Sequence, residues 1–246
     1  MCESSNARCF GQRRSQTAAT MLLYGLAWCA VAQAAPLVAG DLRISPESRE
    51  LIIRYETGGM AEYNATLQHP EVPPGASGIT IGIGYDLGYN TPNQIAADWS
   101  GVLPAPQVAR LQSVAGKTGA AARAALVRVK DIRVPWEAAL KVYETRTVPR
   151  FARDTVRAYP GVLNLPNHMQ GVMLSTSFNR GTAFSPYDRR RELVWSRDDI
   201  AAGRIARLPS YQLQMRRLWP SVAGLQRRYA AHAGLMQRDL DSKNRK

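Results

Sequence analysis

A chain of 246 residues suits one domain with short additions, and 45% hydrophobic against 21% charged residues excludes a disordered composition. The net charge of +13, from 32 Lys+Arg against 19 Asp+Glu, calls for an anionic partner: nucleic acid, an anionic membrane or an anionic cell-wall polymer. The plainer explanation of that charge is solubility alone.

The first element is a targeting segment. Arg8, Arg13 and Arg14 make a basic start, MLLYGLAWCAVA (Met21 to Ala32) is a short apolar run, and Ala32-Gln33-Ala34 is a small-x-small cleavage pattern. Residues 1–34 therefore read as a signal peptide cut after Ala34. The run is too short and Ala-rich for a comfortable transmembrane helix, although an anchor that later leaves the membrane is the rival reading. Trp28 before Cys29 does not fit a lipoprotein, and Arg13-Arg14 alone does not make a twin-arginine signal. Cys2, Cys9 and Cys29 all precede the cut, so the processed chain has no thiolate for a disulfide, metal or redox site. The segment carries three Arg and one Glu, so the basic surplus belongs to the remainder. The expected location is periplasmic or secreted, with no stable membrane anchor after cleavage.

Residues 35–44 read as a short lead-in. Ser45-Pro46-Glu47 starts a helix: Ser caps, Pro fits the first turn and Glu suits the positive end of the dipole. Leu51, Ile52 and Tyr55 stripe it, and Thr57-Gly58-Gly59 ends it, leaving Glu56 on the last turn. The stretch to Gly78 is rich in turn formers and reads as loop, with a short strand near Tyr63. ITIGIGYDLGY then reads as a strand bent at its glycines. Helices are expected from Pro92 to about Trp99, from Gln107, over Ala120 to Lys130, and from Pro135 to about Ala158. Further ones are expected over His168 to Phe178, from Asp198, from Pro209, and over Ser221 to Leu240, with 241–246 as a tail. A few strands followed by many helices make an α+β fold.

His69, His168 and His232 are scattered without metal-ligand spacing, and no metal or cofactor is expected. There is no Gly-x-Ser-x-Gly elbow, and GIGYDLG lacks the Lys of a P-loop. Carboxylates remain. Glycoside hydrolysis needs an acid for the leaving oxygen and a second carboxylate for water or the oxocarbenium-like state. Glu56 and Asp86 flank the Gly-rich segment and meet in one cleft if that unit folds back. Apolar neighbours and the negative end of the helix would favour the protonated form of Glu56. Thr80 falls on the same strand side as Asp86 by period-two counting, where its hydroxyl would hold a water. The ordinary readings are a solvated helix-end Glu and an Asx-turn Asp.

RYETGG followed, after a loop, by TIGIGYDLGY resembles the phage-type lysozymes, and within them the subgroup of pesticin-type toxins. The resemblance covers about residues 45–240. It extends to SFNRGTAF (Ser177 to Phe184) as a helix-end FN-x-G segment, and to Gly224-Leu225-x-Arg227-Arg228 on the closing helix. It implies a lysozyme-like fold with a small β-hairpin lobe and a larger, mostly helical lobe. The loop from Pro73 to Gly78 lacks the Asp that phage enzymes often carry there; the subgroup places it after the strand, at Asp86, with Glu71 as the alternative. The implied chemistry is metal-free hydrolysis, with inversion, of the β-1,4 bond between N-acetylmuramic acid and N-acetylglucosamine. Glu56 would be the acid, Asp86 would assist the water and Thr80 would orient it. Tyr63, Tyr85 and Asn179 are the candidate sugar-binding residues, Asn179 being equally placed to cap its helix. Arg227 and Arg228 would form a solvated face or pack across the cleft. The implied partners are peptidoglycan strands and a periplasmic immunity or inhibitor protein. The alternative is a non-catalytic peptidoglycan-binding protein on the same fold. Nucleic-acid binding fits neither an export signal nor the lack of aromatic-interleaved basic motifs.

Overall fold

The computed structural model describes residues 37–39, 41–73, 75–185 and 188–245, all within one unit, Ala34–Lys246. The expected signal peptide lies outside the described residues. The lead-in is structured: β1 (Leu37–Ala39) pairs antiparallel with β2 (Leu42–Ile44), Leu37 opposite Ile44. Ser45 then caps α1 (Pro46–Thr57), its hydroxyl accepting from Ser48 N at 3.1 Å. Gly58, at φ 73°, closes α1 by donating to Arg54 O, a left-handed position that glycine takes without strain.

The next segment departs from expectation. A helical turn, α2 (Met60–Glu62), runs into a π-helical turn, Tyr63–Leu67, where a strand near Tyr63 was expected. Burial decides this: the Tyr63 ring is fully buried edge-on against Trp136, and its hydroxyl donates to Val134 O at 2.9 Å. ITIGIGYDLGY is a hairpin rather than one bent strand. β3 (Thr80–Ile81) and β4 (Tyr85–Asp86) pair antiparallel around a turn in which Gly82 and Gly84 hold φ 57° and 66°. Glu71 adds a bridge to the free side of Thr80.

The remainder is helical: α3 (Pro92–Trp99), α4 (Ala105–Gln112), α5 (Gly119–Ala125), α6 (Trp136–Val142), α7 (Val148–Ala158), α8 (Asn167–Arg180), α9 (Arg191–Ala201), α10 (Leu208–Met215) and α11 (Ala223–Lys243). A π turn, Tyr143–Thr147, joins α6 to α7, so the long helix expected from Pro135 to Ala158 is continuous in direction though not in type. α9 begins before the expected Asp198. Its Arg-rich start reads as polar, yet Glu192, Leu193, Ser196, Asp199 and Ile200 are buried at helical spacing. α11 extends three residues into the expected tail.

α8 is the axis of the helical region, with every residue from Met169 to Ser177 buried. A helix buried on all sides must have neighbours all round; β2, α1, α7 and α11 supply them. Gly171 lets α1 come close, since a methyl group there would stand 2.2 Å from Ser48 Cβ. This packing sets the C-terminal end of α1 against α11. The fold is thus α+β, mostly helical with small antiparallel sheets.

Candidate active site

Glu56 leaves the last turn of α1 with a buried cation on it. Arg228 of α11, 4% exposed at the side chain, donates through Nη2 to Glu56 Oε1 at 2.8 Å; the Glu56 side chain is 21% exposed. The same Nη2 donates to Ser175 O at 3.2 Å and Ser175 Oγ at 3.0 Å on α8, and the guanidinium sits 5.9 Å from the Tyr55 ring centre. Arg228 Nε is buried without a partner among the described residues. The purely apolar surroundings expected for Glu56 are therefore corrected: the helices bring a guanidinium to it. The β3–β4 turn approaches the other oxygen, and a methyl group on Gly84 would stand 3.6 Å from Glu56 Oε2. Tyr143 also lies near. Burial, and then the Glu56 charge, push its phenol well above the usual value.

Behind the pair runs a buried polar chain. The Ser175 hydroxyl pairs with His232 Nε2 at 2.9 Å, and His232 Nδ1 pairs with Gln212 Oε1 at 3.0 Å. With the Gln212 oxygen accepting, Nδ1 carries the proton and Nε2 accepts from Ser175, which suits a neutral imidazole. Burial, helped by the Arg228 charge, holds His232 well below its ordinary 6.5. The unfolded chain takes up that proton near pH 6.5 and the folded one does not. Stability from this group is thus complete above pH 6.5 and falls below it, by about 1.4 kcal/mol per pH unit, until the folded-state value is reached. Urea denaturation should give a lower stability at pH 5.0 than at pH 7.5, with at most about 2 kcal/mol of the difference from this source. His232→Gln should flatten the slope; an unchanged slope would show that another group carries it.

Thr80 and Asp86 are directly opposite each other in the hairpin, and cross-strand partners put their side chains on one face. Asp86 is also a clamp: Oδ2 accepts from Gly78 N at 3.0 Å and Oδ1 from Gly88 N at 2.7 Å, capping the short 3-10 turn Leu87–Tyr89. A methyl group on Gly78 would stand 2.2 Å from Asp86 Oδ1, so glycine is required there. Among the described residues the Thr80 hydroxyl has no hydrogen-bond partner, and no hydrogen bond or ion pair joins Glu56 to Thr80 or Asp86. Glu71 is exposed, its backbone paired with Thr80 through N–H···O contacts of 3.1 and 2.7 Å.

Two of the candidate sugar-binding residues are corrected. Tyr63 is a core residue. Tyr85, 3% exposed, packs edge-on against Trp99, and its hydroxyl donates to Asp98 Oδ2 at 2.7 Å. Burial and then the Asp98 bond push its phenol well above the usual value, and neither ring can face a ligand. Asp98 also takes Arg150 Nη2 at 2.5 Å, tying α7 to the hairpin's end. Asn179 is half-buried near the end of α8, and its Oδ1 accepts from the Tyr229 hydroxyl at 2.5 Å. That bond locks it to α11, one residue beyond Arg228.

Residues 52–157 match a family model described as "Domain of unknown function (DUF8812)". No curated protein matches the chain. The matched stretch contains Glu56, Thr80 and Asp86 and stops short of α8 and α11. It thus takes in the carboxylates and the hairpin, while the cation and the polar chain behind it lie outside. Sequence reasoning left Arg228 between a solvated face and packing across the cleft, and left Ser175 and His232 without a role. Their signal was weak: polar residues on helices that otherwise read as ordinary amphipathic segments. Among the described residues no group of three or more His, Cys, Asp or Glu side chains is placed to hold a metal ion, and no helix is long and apolar enough to cross a membrane.

Proposed function

We propose that this protein is an exported muramidase similar to the phage-type lysozymes, hydrolysing the β-1,4 bond between N-acetylmuramic acid and N-acetylglucosamine in peptidoglycan. The observation that carries the reading is the Glu56 carboxyl group, held through Oε1 by a buried arginine and bordered at Oε2 by the side-chain-free turn at Gly84. One oxygen is fixed while the other borders space that a substituent would fill. In this mechanism the carboxylate, paired with Arg228 at rest, takes up a proton from solvent on Oε2 and gives it to the departing glycosidic oxygen. A water on the opposite face of the sugar adds to the anomeric carbon and loses a proton to Asp86, which keeps one lone-pair direction on each oxygen beyond its backbone bonds. Thr80, on the same hairpin face, orients that water. The basic surface steers the enzyme toward anionic wall polymers, an effect that weakens as salt rises. The double clamp on Asp86 favours one second reading, a non-catalytic peptidoglycan-binding protein on the same fold.

Purified peptidoglycan separates the two. The muramidase releases reducing ends, and proton NMR of the fresh product shows the α-anomer expected of inversion. A binding protein sediments with the sacculi and releases none. Gly84→Ala provides a second check. Alanine at φ 66° costs about 1–2 kcal/mol, and its methyl group, in ordinary contact with Oε2 at 3.6 Å, takes space that the glycosidic oxygen would enter. The expected result is a Tm lowered by a few degrees together with a fall of about tenfold or more in kcat. A variant with normal kcat would remove the Gly84 face of Glu56 from the site.

A further inference from the structure

A cavity of about 500 Å³ lies between α9 and α10. Trp195 and Tyr211 supply its aromatic surface, with ring centres 5.6 Å apart and planes at 48°. Trp195 is 37% exposed, with Arg191 5.4 Å from its ring centre, so part of the ring stays open to a ligand. The remaining lining is polar and ordered. Asp199, 5% exposed at the side chain, accepts from the Tyr211 hydroxyl at 2.7 Å and from Arg204 Nε at 2.7 Å. Asp198, Arg207 and the exposed Gln214 complete the rim. Gln212, which reaches His232, lies on a different, buried face of α10, so this cavity is separate from Glu56.

The composition selects the ligand. The two carboxylates are paired with Arg197, Arg204 and Arg207, so the lining carries no net charge to attract a polyanion such as a nucleic acid. A concave pocket of this size suits a small ligand, whereas a stable protein partner needs about 800 Å² of surface. What remains is a ligand with one apolar face for an aromatic ring and many hydroxyl or amide groups for carboxylate, guanidinium and carboxamide partners. We propose that the α9–α10 cavity is a second, non-catalytic saccharide site taking one or two neutral pyranose units of an N-acetylated glycan. The volume lies within the range of small-ligand pockets. Trp195 and Tyr211 meet the C–H face of a ring, and Asp198, Arg204 and Gln214 meet its hydroxyl and acetamido groups. Naming the natural glycan as peptidoglycan rests on the muramidase reading; the sugar binding does not.

Isothermal titration of the full chain carrying Glu56→Gln with an N-acetylglucosamine tetramer tests this. Two sites per chain are expected, and adding Trp195→Ala should remove one or weaken it by about tenfold or more, as loss of an aromatic contact implies. Gln214→Ala, at an exposed position, should weaken the same site without disturbing the fold. In the chain with native Glu56, Trp195→Ala should reduce retention on sacculi and leave turnover of short soluble oligosaccharides unchanged. Titration curves that Trp195→Ala and Gln214→Ala both leave unaltered overturn the proposal. If Glu56→Gln retained lytic activity while Trp195→Ala still abolished one sugar site, the muramidase mechanism would fail and the saccharide site would stand.

Discussion

Replacing Glu56 by Gln is expected to lower release of reducing ends from purified peptidoglycan by about 10²–10⁴-fold, the usual worth of a general acid. Gln has nearly the same shape, and its carbonyl oxygen can still accept from Arg228, so the helix end keeps its geometry. What disappears is the transferable proton at the position now held by Oε2. The comparison is clean because the side chain sits at the edge of the core and is 21% exposed. Circular dichroism should show a folded chain, with a Tm below that of the parent because the buried Arg228 loses its counter-charge while keeping its hydrogen bond. A folded Glu56→Gln protein with most of its lytic activity intact would end the assignment of Glu56. Asp86→Asn is a poorer test, because it also disturbs the bonds from Gly78 and Gly88 that shape the hairpin.

Arg228→Met should have the largest effect on stability. Breaking a buried ion pair by removing one partner costs about 3–5 kcal/mol, because the remaining charge is left uncompensated. Here the lower end applies, since water reaches Glu56. A loss of about 3 kcal/mol corresponds to a Tm drop of roughly 6–12 °C for a domain of this size. The Ser175 carbonyl and hydroxyl lose a donor in the same step. A double-mutant cycle isolates the pair: if uncompensated charge at Glu56 is the main cost, Glu56→Gln combined with Arg228→Met should be more stable than Arg228→Met alone. Activity should fall in Arg228→Met as well, through misplacement of the Glu56 carboxyl group. A melt unchanged by Arg228→Met would show that the bond at 2.8 Å contributes nothing to the fold.

Local chemistry made much of this architecture readable. Ser45-Pro46-Glu47 and Gly58 mark the two ends of α1 by capping alone, and Thr91-Pro92 marks the start of α3 in the same way. These signals act within a few residues. Three things were hidden because they depend on contacts distant in the chain. Tyr63 lies in a turn-rich stretch and looked available to a sugar; only the packing of Trp136 and Val134 around it makes it core. The first turns of α9, before the expected Asp198, carry no capping residue ahead of Arg191, and the buried Glu192 becomes intelligible only beside Arg217. Asp86 could be placed near Thr80 by counting, but strand periodicity gave the wrong reason: the two face each other across a hairpin instead of lining one strand. Its backbone clamp depends on Gly78, eight residues earlier, folding back over the turn.

The Glu56–Arg228 bond joins residues 172 positions apart. Chains emerge from synthesis at about 5–20 residues per second, so roughly 10–30 s separate the appearance of the carboxylate from that of its cation. Through that interval α1 and the hairpin exist without the helix that fixes Glu56, and the candidate centre is unfinished. A chain threaded across a membrane in the same order likewise brings Arg228 to the far side after Glu56. Competence would therefore arrive late and all at once, when α11 docks. For a protein that cuts cell wall, such timing would keep partly made copies harmless to the cell that makes them.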